Sequence, residues 1–444
     1  MKNNFTTLLQ DISTQNPELK YSFYYQEWET DFLRFFNSEV NYNISNRVSS
    51  LGTTIYKGKK KYSFYISNPD ENQLRQNIEK ALSIIDQLPD DPDFVDIEDN
   101  LEVQVSASKT NNIDKVTLSD KLDILKRIAE SVKEYGFNIY GTFICNYETN
   151  YIINSNGVNK KYTSSPIMLE LKAVSLKNEV TVIESFGSED ISTFDLDSFI
   201  EGLVSKVNKA GKEVIDVEPG NYEVILAPRC IAELMSYLVW GGMTAAGYDR
   251  KTSYFENKLN TKMFPEHITI VDDPKFPGII SVDYNSEGHI YNKVALIENG
   301  VFKNFVVDNY YGHKTGLKKN GSEANCLVLK KGDKELPEMI SSVKKGLYIS
   351  NLHYINFINM KETSITGLTR DGTFYIEDGE MKKVVNNLRF TVKITDIINN
   401  ITELENKYHL TPTSDNYGAF DISSSATPHV KVSAFKITSS TKTI

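Results

Sequence analysis

The sequence predicts an α+β protein in two parts. The first is a mixed N-terminal domain with an antiparallel sheet and helices; the second is a C-terminal domain that is mainly antiparallel β. Three observations carry this. Residues before about 218 mix runs that alternate with period two and stripes with helical spacing. At Pro219-Gly220-Asn221 the texture changes, and beyond it, one helix apart, the chain reads almost entirely as strand and turn. The length of 444 residues exceeds what one ordinary core encloses and favours two or three domains. The expected division is 1–218 and 219–444, with an acidic linker near 89–100.

Ser22 to Tyr25, Phe32 to Val40, Tyr42 to Arg47, Gly52 to Tyr56 and Tyr62 to Ser67 are rich in aromatic and β-branched residues and read as successive antiparallel strands. Asn68-Pro69-Asp70 breaks the sheet. Leu74, Ile78, Ala81, Leu82 and Ile85 then give a helical stripe that Pro89 stops. Asp90, Asp91, Asp93, Asp96, Glu98 and Asp99 follow. They lack the ligand order and central glycine of a calcium loop, so a solvated linker is the expectation. A second helix begins at Ser119 as N-cap, with Leu122, Leu125, Ile128, Ala129 and Val132 as its stripe. Strands return at Asn138 to Tyr147 and Asn150 to Asn154, turn at Asn156-Gly157, and continue at Met168 to Ser175 and Val180 to Ser188. A third helix spans about Asp195 to Lys209.

In the second part, Pro228 to Gly242 reads as a short helix ending at a glycine pair. Ile231, Leu234, Met235, Leu238 and Val239 form one buried stripe, and Ala232, Glu233, Ser236, Tyr237 and Trp240 form the opposite face. After it, His267 to Val271, Val294 to Glu298, Phe302 to Val307, Phe374 to Glu377, Phe390 to Thr395 and Val430 to Ile437 read as strands.

Bulk chemistry excludes several classes of function. Forty-nine basic against fifty-nine acidic residues give −10 at pH 7, which argues against nucleic acid as a partner. The Lys57 to Lys61 run contains Gly58 and reads as a solvated hairpin turn. The aromatic clusters around Tyr21–Tyr25 and Tyr62–Tyr65 read as sheet core rather than a base-stacking surface. Cys145, Cys230 and Cys326 are far apart and odd in number, so neither a disulfide framework nor a structural zinc site is expected. No run of eighteen apolar residues exists, so no membrane association is expected, and the start lacks a signal-peptide core. The cytoplasm is the expected location. Serine-hydrolase elbows, Walker loops and G-x-G-x-x-G are absent. His267, His289, His313, His353, His409 and His429 are dispersed without mutual ligand spacing and read as surface or satisfied core residues.

The helix face reads A-E-x-x-x-Y over Ala232 to Tyr237. It resembles the place where zinc peptidases of the TldD/PmbA family carry H-E-x-x-x-H, with both histidines replaced and the glutamate kept. On a regular helix, positions five apart lie about 140° apart, so such a motif needs a helix that is distorted or ends between its histidines. The resemblance runs in order along most of the chain. It takes in Asp31 to Ser67, Asn154-Ser155-Asn156-Gly157, Gly220 to Pro228, Tyr248-Asp249-Arg250-Lys251-Thr252, Thr269 to Asp273 and Asp283 to Gly288. The turns at Asn299-Gly300 and Asp378-Gly379 complete the set.

The resemblance implies two alternatives for such a chain. The catalytic type carries the motif and a third ligand, a cysteine in a C-terminal glycine-rich turn. The PmbA type, also called TldE, lacks the ligands and pairs with a catalytic partner. Here Tyr417 to Ser425 holds no cysteine, so the chain resembles the PmbA type, with no cofactor of its own and zinc only in the partner. The implied partners are an unfolded peptide and either a second copy or a TldD-like subunit. Glu233 is a remnant of the catalytic position, read either as an exposed or capping carboxylate or as a former base lining a peptide groove. General-base help is worth only about 10²–10⁴-fold, too little alone for amide hydrolysis. Tyr237, Glu287 and His289 are the candidate substrate-binding residues; the resemblance puts the latter two near the cleft. An active peptidase with altered ligands, and a scaffold suggested by the family's old label as a gyrase modulator, are the alternatives.

Overall fold

The computed structural model describes residues 2–99, 101–102, 109–211, 213–414 and 421–440. Helix α1 (Lys2–Gln15) precedes strands β1 (Leu19–Phe36), β2 (Glu39–Lys57) and β3 (Lys60–Ser67). The five short strands expected here are joined into three. β1 pairs with β2 from Leu19↔Lys57 to Phe36↔Glu39, with one bulge at Arg34/Phe35, so backbone pairing carries the strand through its polar stretches. The expected Phe32–Val40 strand is instead cut at Asn37 and Ser38. Both take positive φ, 55° and 63°, as a two-residue hairpin turn demands.

Helix α2 (Glu71–Ile84) starts at Asp70, whose side chain and that of Gln73 form a reciprocal capping box. Its Leu74, Ile78 and Ala81 pack with Phe5 and Leu8 of α1 onto Tyr21, Phe23, Tyr25 and Leu51. The aromatic run is therefore core. The acidic stretch that follows is a strap rather than a free linker. Asp91 pairs with Lys61, Asp93 with Lys314, and Glu98 is buried against Lys319. Lys20 pairs with Asp96 as well, so four lysines, two of them in the C-terminal part, answer its charge.

Helices α3 (Asn112–Lys115) and α4 (Leu118–Lys133) come next. The N-cap of α4 is Thr117, not Ser119, because Thr117 and Asp120 cap each other. The register leaves Leu122 exposed and buries Leu125, Ile128 and Val132. Strands β4 (Phe137–Asn154), β5 (Asn159–Ser164), β6 (Ile167–Ser175) and β7 (Thr181–Ser188) complete the first sheet, in the order β3-β2-β1-β4-β6-β7 with β5 on β4. Helix α5 (Leu196–Ala210) is capped by Asp195 and packs with α4 onto this sheet.

The C-terminal part opens with β8 (Val214–Ile215), β9 (Gly220–Leu226), α6 (Pro228–Gly242) and α7 (Ala245–Asp249). There follow β10 (Ile270–Asp272), β11 (Val294–Glu298), β12 (Val301–Phe302), α8 (Asn309–Thr315), β13 (Leu327–Leu329) and α9 (Leu336–Ser341). Next are β14 (Lys345–Asn359), β15 (Ser364–Glu377), β16 (Glu380–Val385), β17 (Leu388–Lys393) and α10 (Ile394–Asn399). The last strands are β18 (Ile401–Leu404), β19 (His409–Ser414), β20 (Ile422–Thr427) and β21 (Val430–Ser440). The short helices α7 to α10 are a departure from the strand-and-turn expectation. Each is too brief to show a hydrophobic period above that of neighbouring turns.

Two sheets organise this part. One runs β14-β9-β21-β17-β15-β16-β8, and β14 also pairs with β15, so five of its strands close a ring. The other runs β12-β11-β10-β13-β20-β19. Pro428 and His429, between β20 and β21, form the corner that joins the two sheets. Among the described residues no helix is long and apolar enough to cross a membrane.

Candidate functional site at helix α6

Helix α6 follows the central strand β9 with Ala227 as N-cap and Pro228 in its first turn, where a missing N–H costs nothing. Ile231, Leu234, Met235, Leu238 and Val239 are buried in the C-terminal core. The Ala227 N–H and the Cys230 thiol both donate to the Ile349 carbonyl of β14, tying the helix start to the ring. The glycine pair lies within the helix, which is capped at Met243. A side chain at Gly241 would run into the Phe357 ring, and one at Gly242 would press on Phe255. The pair serves close packing, not termination.

The polar face of α6 lines a cavity of about 440 Å³ between the two halves of the chain. Arg229, Ala232, Glu233, Ser236 and Tyr237 come from α6, and Glu170 and Lys172 from β6. His353 and Tyr354 come from β14, Thr411 and Thr413 from β19, and Ser423 and Ser425 from β20. Glu170 and Lys172 reach it because alternate residues of a strand share a face.

Glu233 is half-buried, not the exposed carboxylate that one reading expected. Burial pushes its carboxyl up to about 7, against a smaller opposing pull from Arg229. The Arg229 guanidinium pairs with Glu170. Tyr237 donates its hydroxyl to the Ile355 carbonyl at 2.6 Å, and burial, then the Glu233 charge, push that phenol up. Lys172 pairs with Asp371 at 2.8 Å. Thr181 and Asn351 also donate to Asp371, at 2.7 and 2.8 Å. Burial raises the Asp371 carboxyl, but Lys172 and these donors outweigh it and hold it low. Burial, helped by Arg370 and Lys172, pushes the His353 imidazole down. Tyr354 sits at the rim with φ 54°, a costly backbone for a bulky residue.

The structure thus brings Glu233 and Tyr237 into one cavity and leaves Glu287 and His289 outside it. Glu287 lines two other cavities, of about 530 and 600 Å³, and the second reaches α6 only at Trp240 and Gly241. Its carboxyl accepts the Asn309 N–H at 3.1 Å and is pushed up to about 7 by burial. His289 donates its N–H to Asn285 at 2.8 Å, and its ring Nδ1 meets the Ile290 carbonyl at 2.9 Å. In the Tyr417–Ser425 stretch, residues 417–420 lie outside the described residues; Ser423 and Ser425 line the α6 cavity.

The sequence reading also missed a cluster. His409 and His429 are not independent of each other. Both face Glu405 Oε2, His409 Nε2 at 2.8 Å and His429 Nδ1 at 2.7 Å. The antiparallel ladder makes this contact, since His409 pairs with Thr427, two residues before His429. Burial pushes the His429 imidazole down against the opposing pull of Glu405.

Comparison with known proteins places this geometry. The PmbA/TldA metallopeptidase central domain matches residues 111–216 and the corresponding C-terminal domain matches residues 219–439. An uncharacterized protein of Methanocaldococcus jannaschii is 28% identical over 247 residues, 52% of this chain and 56% of that protein. A metalloprotease PmbA homolog of Haemophilus influenzae is 21% identical over 382 residues, 79% of this chain and 80% of that protein. The chain spans about half the length of the archaeal relatives it matches. The crystal structure of TldE from Thermococcus kodakarensis superposes with a TM-score of 0.85 at 19% identity, covering 98% of this chain and 99% of that one, so the fold is shared over the full length.

Proposed function

The chain belongs to the PmbA/TldA metallopeptidase family, and from that premise we propose that it is a PmbA-type subunit. It holds an unfolded peptide in the α6 cavity, without a metal there, and supports cleavage by a TldD-like partner. One observation carries the metal-free reading: Ala232 offers no ligand atom, and the Tyr237 hydroxyl is committed to the Ile355 carbonyl. A hydrolytic zinc needs about three protein ligands and an open position. The cationic Arg229 in the same cavity disfavours a divalent ion further. The family's zinc does not fit these residues.

Peptide binding has separate support. β19 is the last strand of its sheet, and Thr411, Thr413 and Ser414 of that strand line the cavity. An extended peptide can add to such an edge, its main chain giving affinity. Exposed Phe36, Tyr42 and Ile44 at the far end of the β1–β2 hairpin suit a subunit contact, homodimeric or with a TldD-like chain. Glu233, with a carboxyl near neutrality, is the feature that favours the alternative of an active peptidase. The experiment is cleavage of an unstructured peptide by the isolated chain and by the chain mixed with a TldD-like protein. Binding without cleavage alone, and cleavage in the mixture, is the expected result. Cleavage by the isolated chain that a chelator and Glu233→Gln both abolish contradicts it.

A further inference from the structure

We propose that Glu405, His409 and His429 hold a first-row transition-metal cation of the zinc class, at the corner that joins the two C-terminal sheets. The three side chains offer ligand atoms that all lie within 4.8 Å of one another. Two imidazole nitrogens and one carboxylate oxygen are a donor set that zinc, cobalt or nickel accepts. Among the described residues this is the one such group of three, and it lies outside the α6 cavity.

The backbone fixes the ligands in advance. β18 pairs with β21 through Leu404↔Val430, β19 pairs with β20 through His409↔Thr427, and the Glu405 N–H donates to the His429 carbonyl. All three ligands therefore project from ladders that meet at one corner. Glu405 and His429 are buried, whereas the His409 side chain is 31% exposed. That exposure supplies an entry path and a solvent-facing side where water completes the coordination.

An outer partner is in place as well. The Tyr348 hydroxyl lies 3.0 Å from His429 Nε2, and a ligating histidine usually has its second nitrogen oriented in this way. Without metal, His429 Nδ1–H and His409 Nε2–H donate to Glu405. With metal, each ring places its proton on the other nitrogen, and His429 Nε2–H donates to Tyr348. A tetrahedral cation with ligand bonds of about 2.0–2.1 Å separates its donors by about 3.3 Å. The two N···O distances then open by about half an ångström, a rotamer-scale adjustment. The Thr427 hydroxyl donates to the Pro228 carbonyl at 2.9 Å, so the corner is coupled to the first residue of α6. Occupancy would stiffen the β19–β20 wall of the cavity.

The test is cobalt titration of the chelator-stripped full chain, read by visible absorption, with zinc-dependent melting alongside. One equivalent with tetrahedral ligand-field bands, and a zinc-induced rise in melting temperature, is expected. His409→Ala should weaken cobalt at least tenfold and abolish the zinc shift; His409→Gln is the second variant should alanine fail to fold. Tyr348→Phe should weaken it about tenfold, while Glu233→Gln and Tyr237→Phe leave it unchanged. Absence of ligand-field bands in the unsubstituted chain, or cobalt affinity unchanged in both His409 variants, overturns the proposal. Cobalt lost in Glu233→Gln but kept in His409→Ala overturns it too and contradicts the metal-free cavity, whereas absence of any cobalt leaves that reading standing.

Discussion

Glu233 is half-buried and Glu405 buried, both in the C-terminal half of the chain, and their surroundings set them in opposite states. Glu233 faces a cavity whose main effect is desolvation, and its carboxyl rises to about 7. Glu405 gathers the His409 and His429 rings and the His429 N–H onto one oxygen. Burial alone would raise its carboxyl, but those donors hold it well below the usual range. The difference teaches that burial does not define a metal-competent acid; convergent donors do. Helix α6 presents an acid, Glu233, without such donors around it. The corner at Glu405 has them.

The largest expected effect comes from removing the acid that is fully engaged. Glu405→Ala leaves three donors without their acceptor and should lower stability by about 3–5 kcal/mol in urea unfolding; a loss below about 1 kcal/mol would break the contrast. The pH dependence has a definite sign. A folded pKa below the unfolded value of about 4.3 means that the Glu405 contribution is present above that pH and is lost as pH falls further.

Glu233 behaves oppositely. Its folded pKa exceeds the unfolded one, so the unfolded state gives up its proton first and stability falls as pH rises from about 4.3 to about 7. Glu233→Gln should remove that slope and make the chain more stable than its parent above pH 7. The ceiling is about 4 kcal/mol at about 1.36 per pKa unit, and partial solvent contact reduces it. Unfolding at pH 5 and pH 8 reads the difference; a parent and variant that stay parallel would count against the raised carboxyl.

Gly241→Ala sharpens the account of why the α6 shape persists. The added methyl meets the Phe357 ring and should cost about 1–3 kcal/mol, read as a lower melting temperature. Tyr237→Phe is the smallest change, about 1 kcal/mol for one hydrogen bond to Ile355. A larger loss, or release of bound metal, would show that the phenol does more than brace a carbonyl.

Much of the fold was legible in the sequence because it rests on local period. The α6 stripe, the alternating aromatics and the Asn-Gly turn all mark themselves within a few residues. What was missed depends on distant partners. The Asn37-Ser38 turn carries no glycine, and the strap residue Glu98 is neutralised by Lys319. In the candidate site, Glu233 and Tyr237 of A-E-x-x-x-Y share a cavity. Arg229 was in view but its pairing with Glu170 on β6 was not. Glu287 and His289 follow a different loop from the one that reaches the α6 cavity. His409 and His429 look unrelated until the β19–β20 ladder sets them side by side.

Anomalous diffraction at the zinc edge, from crystals of the full chain loaded with zinc, tests the contrast most directly. The account predicts a peak bonded to Glu405, His409 and His429 and none within bonding distance of Glu233 or the Tyr237 hydroxyl. A peak on Glu233 or Tyr237 would contradict it.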